Sequence, residues 1–185
     1  MTDWFRHPPV LGFAAWSGTG KTTLLVQLLP ALRARGLRIG MIKHAHHAFD
    51  VDKPGKDSYE LRKAGAEQTL VASRLRLALM VEHPEPAEPD LPELIRRLDR
   101  DALDLILVEG FKHERFPKIE LHRAALGKPW LFPDDDTIVA VAADTPVETA
   151  LPRLDLNDTA GIADFIGRRI AATGHPASPG QAADH

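Results

Sequence analysis

Residues Ala15-Trp16-Ser17-Gly18-Thr19-Gly20-Lys21-Thr22 follow the spacing G-x-x-x-x-G-K-[ST], with alanine at the first glycine position. That spacing suits the cradling of a polyphosphate. Backbone N–H groups at a helix start converge on phosphate oxygens, and the helix dipole favours negative charge there. Gly18 and Gly20 let the backbone curl closely, Lys21 reaches the β and γ oxygens, and the Thr22 hydroxyl binds magnesium. Ser17, Thr19 and Thr23 complete the expected nucleotide-contacting set. Gly-Lys-Thr alone is a common tripeptide, so the setting matters. Here an apolar run precedes it and a leucine-striped segment follows.

A P-loop needs a second element, an acidic residue ending another buried strand and holding the magnesium through water. Leu103-Asp104-Leu105-Ile106-Leu107-Val108-Glu109-Gly110 supplies Glu109 for that role. Gly110 is placed to turn its N–H towards a γ-phosphate. Asp104 falls in the same strand, two pleats back from its carboxyl end. Asp144 ends a further apolar run, where nucleotide-binding proteins read the base. An aspartate there accepts two donors from guanine, which gives slight support for GTP over ATP. The loop from His44 carries His46, His47, Asp50, Asp52, Lys53, Lys56 and Asp57, leaving the ligand side of the sheet. A switch-like role near the γ-phosphate fits it better than a transition-metal site built from His44, His46 and His47. Lys112, His113 and Arg115 follow Gly110 and read equally as phosphate sensors or as a basic surface loop.

The elements that must position these groups are legible as alternating strands and helices. Val10–Ala15 reads as a buried strand. Leucines at 24, 25, 28, 29 and 32 mark a helix over Lys21–Arg35 that bends at Pro30 and ends at Gly36. Arg38–Lys43 is the second strand. Asp57–Ala64 reads as a helix opened by an Asp57/Glu60 capping box and closed at Gly65. Gln68–Ser73 and Leu77–Glu82 read as strands joined by a basic turn at Arg74–Arg76. The acidic, proline-rich run His83–Asp90 is expected to be extended, with a short helix over Leu91–Asp101 after it. Leu103–Val108 and Thr137–Ala143 read as buried strands, and Lys118–His122 as a half-exposed one. A closing helix capped at Asn157 or Asp158 aligns Ile162, Ile166 and Ile170 on one face.

Strands alternating with helices predict an α/β, P-loop NTPase-type three-layer fold with a mainly parallel sheet and some antiparallel strands. One domain is expected over residues 1–173, with 68–82 and 111–123 as β appendages and 174–185 as a disordered tail. The 185 residues suffice for one sizeable core, and 44% hydrophobic with 26% charged content is ordinary for a soluble protein. A net charge of -3 argues against nucleic acid as an obligatory partner. Cysteine is absent, which excludes disulfides and thiolate chemistry. With no signal peptide or membrane span evident, a cytoplasmic location is expected.

The stretches 13–23, 42–47, 50–66 and 105–114 together resemble one family, molybdopterin-guanine dinucleotide biosynthesis protein B, over residues 9–143. The long loop motif is more specific than the P-loop, and the alanine at 15 agrees with the family pattern. The resemblance implies GTP with Mg2+ as cofactors, low intrinsic GTPase activity and a homodimer in which the sheets of two subunits join. It also implies association with the guanylyltransferase that adds GMP to molybdopterin, and it leaves a contact with molybdopterin itself open. Phosphate contacts carry over to Gly18, Gly20, Lys21, Thr22 and Thr23, and the magnesium role to Thr22 and Glu109. Two other classes stand as alternatives. A P-loop small-molecule kinase would need a mobile lid carrying arginines; Arg74 and Arg76, or Arg96 and Arg97, are the candidates, and neither pair sits in a recognisable lid. A metallochaperone GTPase would carry a metal on the histidine loop.

Overall fold

The apolar run after Pro9 forms β1 (Val10–Ala15), and the leucine stripe forms α1 (Lys21–Arg33). The second strand is β2 (Ile39–Lys43). The chain then builds α2 (Asp57–Lys63), β3 (Gln68–Ala72) and β4 (Leu77–Val81). It returns through α3 (Leu91–Arg96) to β5 (Leu105–Glu109), β6 (Lys118–His122), β7 (Ile138–Ala143), β8 (Arg153–Asp155) and α4 (Thr159–Ala172). This computed structural model describes residues 7–45 and 49–173. Its described residues fall into two compact units, one running to His44 and resuming at Asp90, the other Ala45–Pro89.

The first unit is a three-layer α/β sandwich. Its sheet has six strands in the order β2-β5-β1-β6-β7-β8, and every pairing in it is parallel. Alternation along the strands sends Leu11, Phe13, Leu105, Leu107, Ile119 and Leu121 to one face. There they pack with Leu24, Leu28 and Leu32 of α1 and Ile162, Ile166 and Ile170 of α4. Val10, Ile106 and Val108 point to the other face, against Leu91 and Ile95 of α3 and against Phe111 and Phe116. Gly12 is required on that face because a Cβ there would lie 2.6 Å from the Phe116 ring. Asp158 caps α4, its carboxylate accepting from the Gly161 N–H at 2.9 Å.

Several expectations need correction. Lys118–His122 is buried at all five positions and sits between β1 and β7, so 111–123 is no appendage and this strand is not half-exposed. A short β8, which the sequence reading did not anticipate, pairs with β7. Asp104 lies before β5 rather than inside it. It is fully buried and accepts from the Arg38 N–H and guanidinium at 2.8–3.0 Å, which fixes the amino ends of β2 and β5. The helix after Asp90 stops at Arg96, with a separate 3-10 turn at Arg100–Ala102. Helix α1 continues through Pro30 and ends at Arg33.

The second unit is organised by one arginine. Arg62 of α2 is buried and donates to Asp50 and Asp52 at 2.6 Å and to Glu82 at 3.0 Å. Its hydrogen bonds hold the Asp52 carboxyl below the usual carboxylate range and raise the Arg62 guanidinium. The expected Asp57/Glu60 capping box does not form. Lys56 is the N-cap without a side-chain bond, Asp57 is the first helical residue, and Glu60 instead accepts from the Gly55 N–H at 3.0 Å. Strands β3 and β4 pair antiparallel as expected. Residues 46–48 and the expected tail 174–185 lie outside the described residues.

Leu28 is completely buried between α1 and the sheet. Leu28→Ala is expected to cost about 3 kcal/mol through lost transfer energy and the cavity left behind, read by chemical denaturation.

Candidate functional site

The carboxyl ends of the parallel strands all meet one edge of the sheet, the usual ligand side of an open α/β fold. At that edge β1 runs out at Ala15 into a loop that turns twice through left-handed glycines, Gly18 at φ 83° and Gly20 at φ 93°. Space does not demand glycine at either place, since a Cβ would meet only ordinary contacts at 3.7 and 3.8 Å. The positive φ demands it. Thr19 between them is buried and its hydroxyl donates back to the Trp16 carbonyl at 2.8 Å, closing the loop on itself. Helix α1 then starts at Lys21 with no side-chain cap and no acidic residue in its first turn. Its first N–H groups therefore receive no acceptor from a capping side chain, and the dipole end is open to an anion. Ser17, Thr22 and Thr23 are exposed around this opening.

Next to the loop, β5 ends at Glu109, in register with Phe13 of β1 and Lys43 of β2. The Lys43 ammonium lies 3.6 Å from the Glu109 carboxylate, and the Glu109 carbonyl accepts from the His44 N–H at 2.8 Å. Gly110 has φ 97°, and a Cβ there would fall 2.6 Å from the His44 Cβ. Phe111 is also left-handed, at φ 53°, a conformation costing an L residue roughly 1–2 kcal/mol. Its burial and the stacking of the His44 ring on it at 4.8 Å hold it there. The turn after Glu109 is thus a strained, fixed corner beside the phosphate loop.

The connection from β6 to β7 forms a clasp on the phosphate loop, which sequence reading missed. Arg123 follows β6 and donates from Nε to the Thr19 carbonyl at 3.3 Å. Its Nη1 reaches Asp144 at 3.5 Å, while the other Asp144 oxygen accepts from the Ala124 N–H at 2.9 Å. Leu126 lies 3.7 Å from where a Gly18 Cβ would stand. The Trp16 indole donates to the Pro129 carbonyl at 2.8 Å, and the Lys128 ammonium lies 5.7 Å from the Trp16 ring centroid. Both oxygens of Asp144, expected to read the base, thus already accept hydrogen bonds.

Three buried polar residues on one face of β6 fasten this clasp. Lys118 donates to Asp135 and Thr137, Glu120 accepts from the Leu131 and Phe132 N–H groups at 2.8 Å, and His122 Nε2 donates to the Lys128 carbonyl at 2.9 Å. The His122 ring also stacks on Trp130 at 3.7 Å. Burial pushes the Lys118 amine down and the Glu120 carboxyl up from their ordinary values. The signal available in the sequence was the alternation Lys118, Glu120, His122, which reads as a wet face when the covering segment is unknown.

The remaining predicted residues divide between the two units. Asp50 and Asp52 are bound to Arg62 inside the second unit, where Lys53, Lys56 and Asp57 are exposed. His46 and His47 lie outside the described residues, among which no group of three His, Asp or Glu converges as metal ligands would. Arg115 forms a two-oxygen pair with Asp136 at 2.8 Å, leaving Lys112 and His113 exposed. Arg97 pairs with Glu93 one helical turn back, Arg96 is exposed on α3, and Arg74 and Arg76 sit exposed at the β3–β4 turn.

A parallel sheet whose first strand feeds a glycine-turned loop and an uncapped helix defines a P-loop NTPase-type protein. The chain belongs to the MobB family, molybdopterin guanine dinucleotide synthesis protein B, whose family model matches residues 10–144. It is 60% identical over 159 residues to the molybdopterin-guanine dinucleotide biosynthesis adapter protein of Escherichia coli (strain K12), covering 85% of this chain and 91% of that one. Identity to the protein of the same description from Haemophilus influenzae is 47%, over 85% of this chain and 87% of the relative. A crystal structure of molybdopterin-guanine biosynthesis protein B superposes with a TM-score of 0.70 at 27% identity, covering 88% of this chain and 99% of that one. Family membership gives the chain an accessory role in molybdenum cofactor biosynthesis.

Because burial raises the Glu120 pKa above its ordinary 4.5, the folded state holds a proton that the unfolded state releases first. The stability contributed by protonated Glu120 is present below pH 4.5 and declines as pH rises through the folded value. Subtracting the pH–stability curve of Glu120→Gln from that of the wild type should therefore give a difference that falls with increasing pH over that window.

Proposed function

We propose that this chain is a GTP-binding accessory protein in the formation of molybdopterin guanine dinucleotide, assisting the guanylyltransferase and hydrolysing GTP slowly. The observation that carries the nucleotide part is the uncapped start of α1 behind two left-handed glycines, with Lys21 at its first position. A polyphosphate supplies the acceptors those N–H groups lack, and Lys21 adds a charge-assisted contact. Mg2+ fits the donors present: the Thr22 hydroxyl is exposed at the helix start, and Glu109 ends the adjacent strand. Bound there, the ion neutralises phosphate charge. Gly110 is the γ-phosphate neighbour in this reading, with His44 beside it.

The partner part rests on the adapter description shared by the relatives. Among the described residues no helix is long and apolar enough to cross a membrane. A homodimer is supported by the second unit, whose hairpin exposes Leu70, Leu77 and Leu79 on its strands and Leu75, at 90%, in its turn. A hairpin this apolar is marginal alone and gains by pairing with another sheet.

Titration with labelled nucleotides tests the reading. GTP is expected to bind in the presence of Mg2+ in preference to ATP, and tight binding of ATP without GTP would sink the proposal. Lys21→Ala should weaken GTP binding roughly 100-fold while leaving unfolding cooperative. A pull-down of the guanylyltransferase, with and without GTP, tests the adapter role; no capture in either condition would remove it.

A further inference from the structure

The phosphate loop has a weakness built into it. Thr19 C=O and Gly20 N–H belong to one trans peptide plane and point in opposite directions. Gly20 lacks the Cβ that would otherwise restrict that plane, so local sterics alone do not fix which way its N–H faces. A donor that grips the Thr19 carbonyl from behind fixes the plane and thereby aims the Gly20 N–H. Arg123 Nε is such a donor, at 3.3 Å, with Nη2 3.8 Å from where a Gly20 Cβ would stand.

The grip is itself anchored. Arg123 leaves β6 two residues after Leu121, which is in register with Ala15 at the end of β1, so both ends of the contact hang from neighbouring strands. A guanidinium is a planar fork, and the tine not used on the carbonyl meets Asp144 at 3.5 Å. Asp144 is in turn held to the Ala124 N–H at 2.9 Å, at the residue following Arg123. The side chains remain partly open, at 37% exposure for Arg123 and 18% for Asp144, so neither is a core residue.

We propose that Arg123 is a positioning residue for nucleotide binding, tying the Thr19–Gly20 peptide to Asp144, and that Asp144 serves as its anchor rather than as the reader of the base. The proposal rests on the phosphate-site reading above. It makes affinity for the polyphosphate, not preference among bases, depend on the pair. A lysine at 123 would keep the charge but lose the fork, and would not restore the arrangement.

The test compares GTP, ATP and inorganic tripolyphosphate, each with Mg2+, on the full chain carrying Arg123→Ala, Arg123→Lys or Asp144→Asn. All three variants are expected to lose affinity for GTP and for tripolyphosphate by the same factor, about tenfold, with the GTP-to-ATP ratio unchanged. Melting of each variant is followed by circular dichroism; if Arg123→Ala melts early, Arg123→Lys, which keeps charge and bulk, carries the comparison. Loss of GTP binding with tripolyphosphate unaffected, or a changed GTP-to-ATP ratio in Asp144→Asn, would overturn the proposal by showing that these residues read the nucleoside. Wild-type affinity in Arg123→Lys would overturn it by showing that charge alone suffices. If the wild-type chain binds neither GTP nor tripolyphosphate, the phosphate-site reading falls, and this proposal with it.

Discussion

A helix that begins without a capping side chain leaves backbone N–H groups in need of acceptors, and in this protein α1 begins that way beside a lysine. Much of the surrounding architecture serves to keep that helix start in place. Leu24, Leu28 and Leu32 press α1 against the sheet, and the left-handed turns at Gly18 and Gly20 deliver the chain to it. Filling the first turn with an acidic cap would stabilise the helix by about 1 kcal/mol and close it to an anion. The absence of that cap leaves the helix start open to an anion.

The loop before the helix cannot hold its shape by itself, because its glycines are chosen for freedom. Restraint comes from the β6–β7 connection, through Arg123, Leu126, Lys128 and Pro129. That connection is irregular, and its own backbone needs partners. Glu120 satisfies two of its N–H groups from the sheet, and His122 satisfies a carbonyl. Leaving one such covered group unpaired costs about 1–3 kcal/mol, which favours keeping the polar ladder under cover. A buried polar strand face, the clasp it fastens and the phosphate loop the clasp restrains form one mechanical series.

The second unit shows a different solution to limited size. A short helix and two strands bury little apolar surface, and several leucines of the hairpin remain exposed. Arg62 compensates by collecting Asp50 and Asp52 from the stretch before α2 and Glu82 from the end of β4. The acidic residues that looked available for a nucleotide switch are thus partly committed to folding their own unit. Of the predicted charged groups outside that cluster, Lys53, Lys56 and Asp57 are exposed.

The sequence by itself determined the elements whose signals are local. The bounds of β1, the leucine face of α1, the β3–β4 pair and a cap for the last helix at Asn157 or Asp158 were legible because period, turn residues and caps are properties of short stretches. The phosphate loop was legible for the same reason, since its spacing carries its own geometry. Tertiary structure alone decided what depends on cover and on contacts between segments distant in the chain. Lys118, Glu120 and His122 alternate like a wet strand, yet residues near 130 fold over them and bury that face. Asp104 is drawn to Arg38, 66 positions away, and Arg123 to Thr19, 104 positions away. No periodicity encodes such pairings. They exist because parallel strands bring their ends to one edge of the sheet, and only the folded sheet says which ends are neighbours.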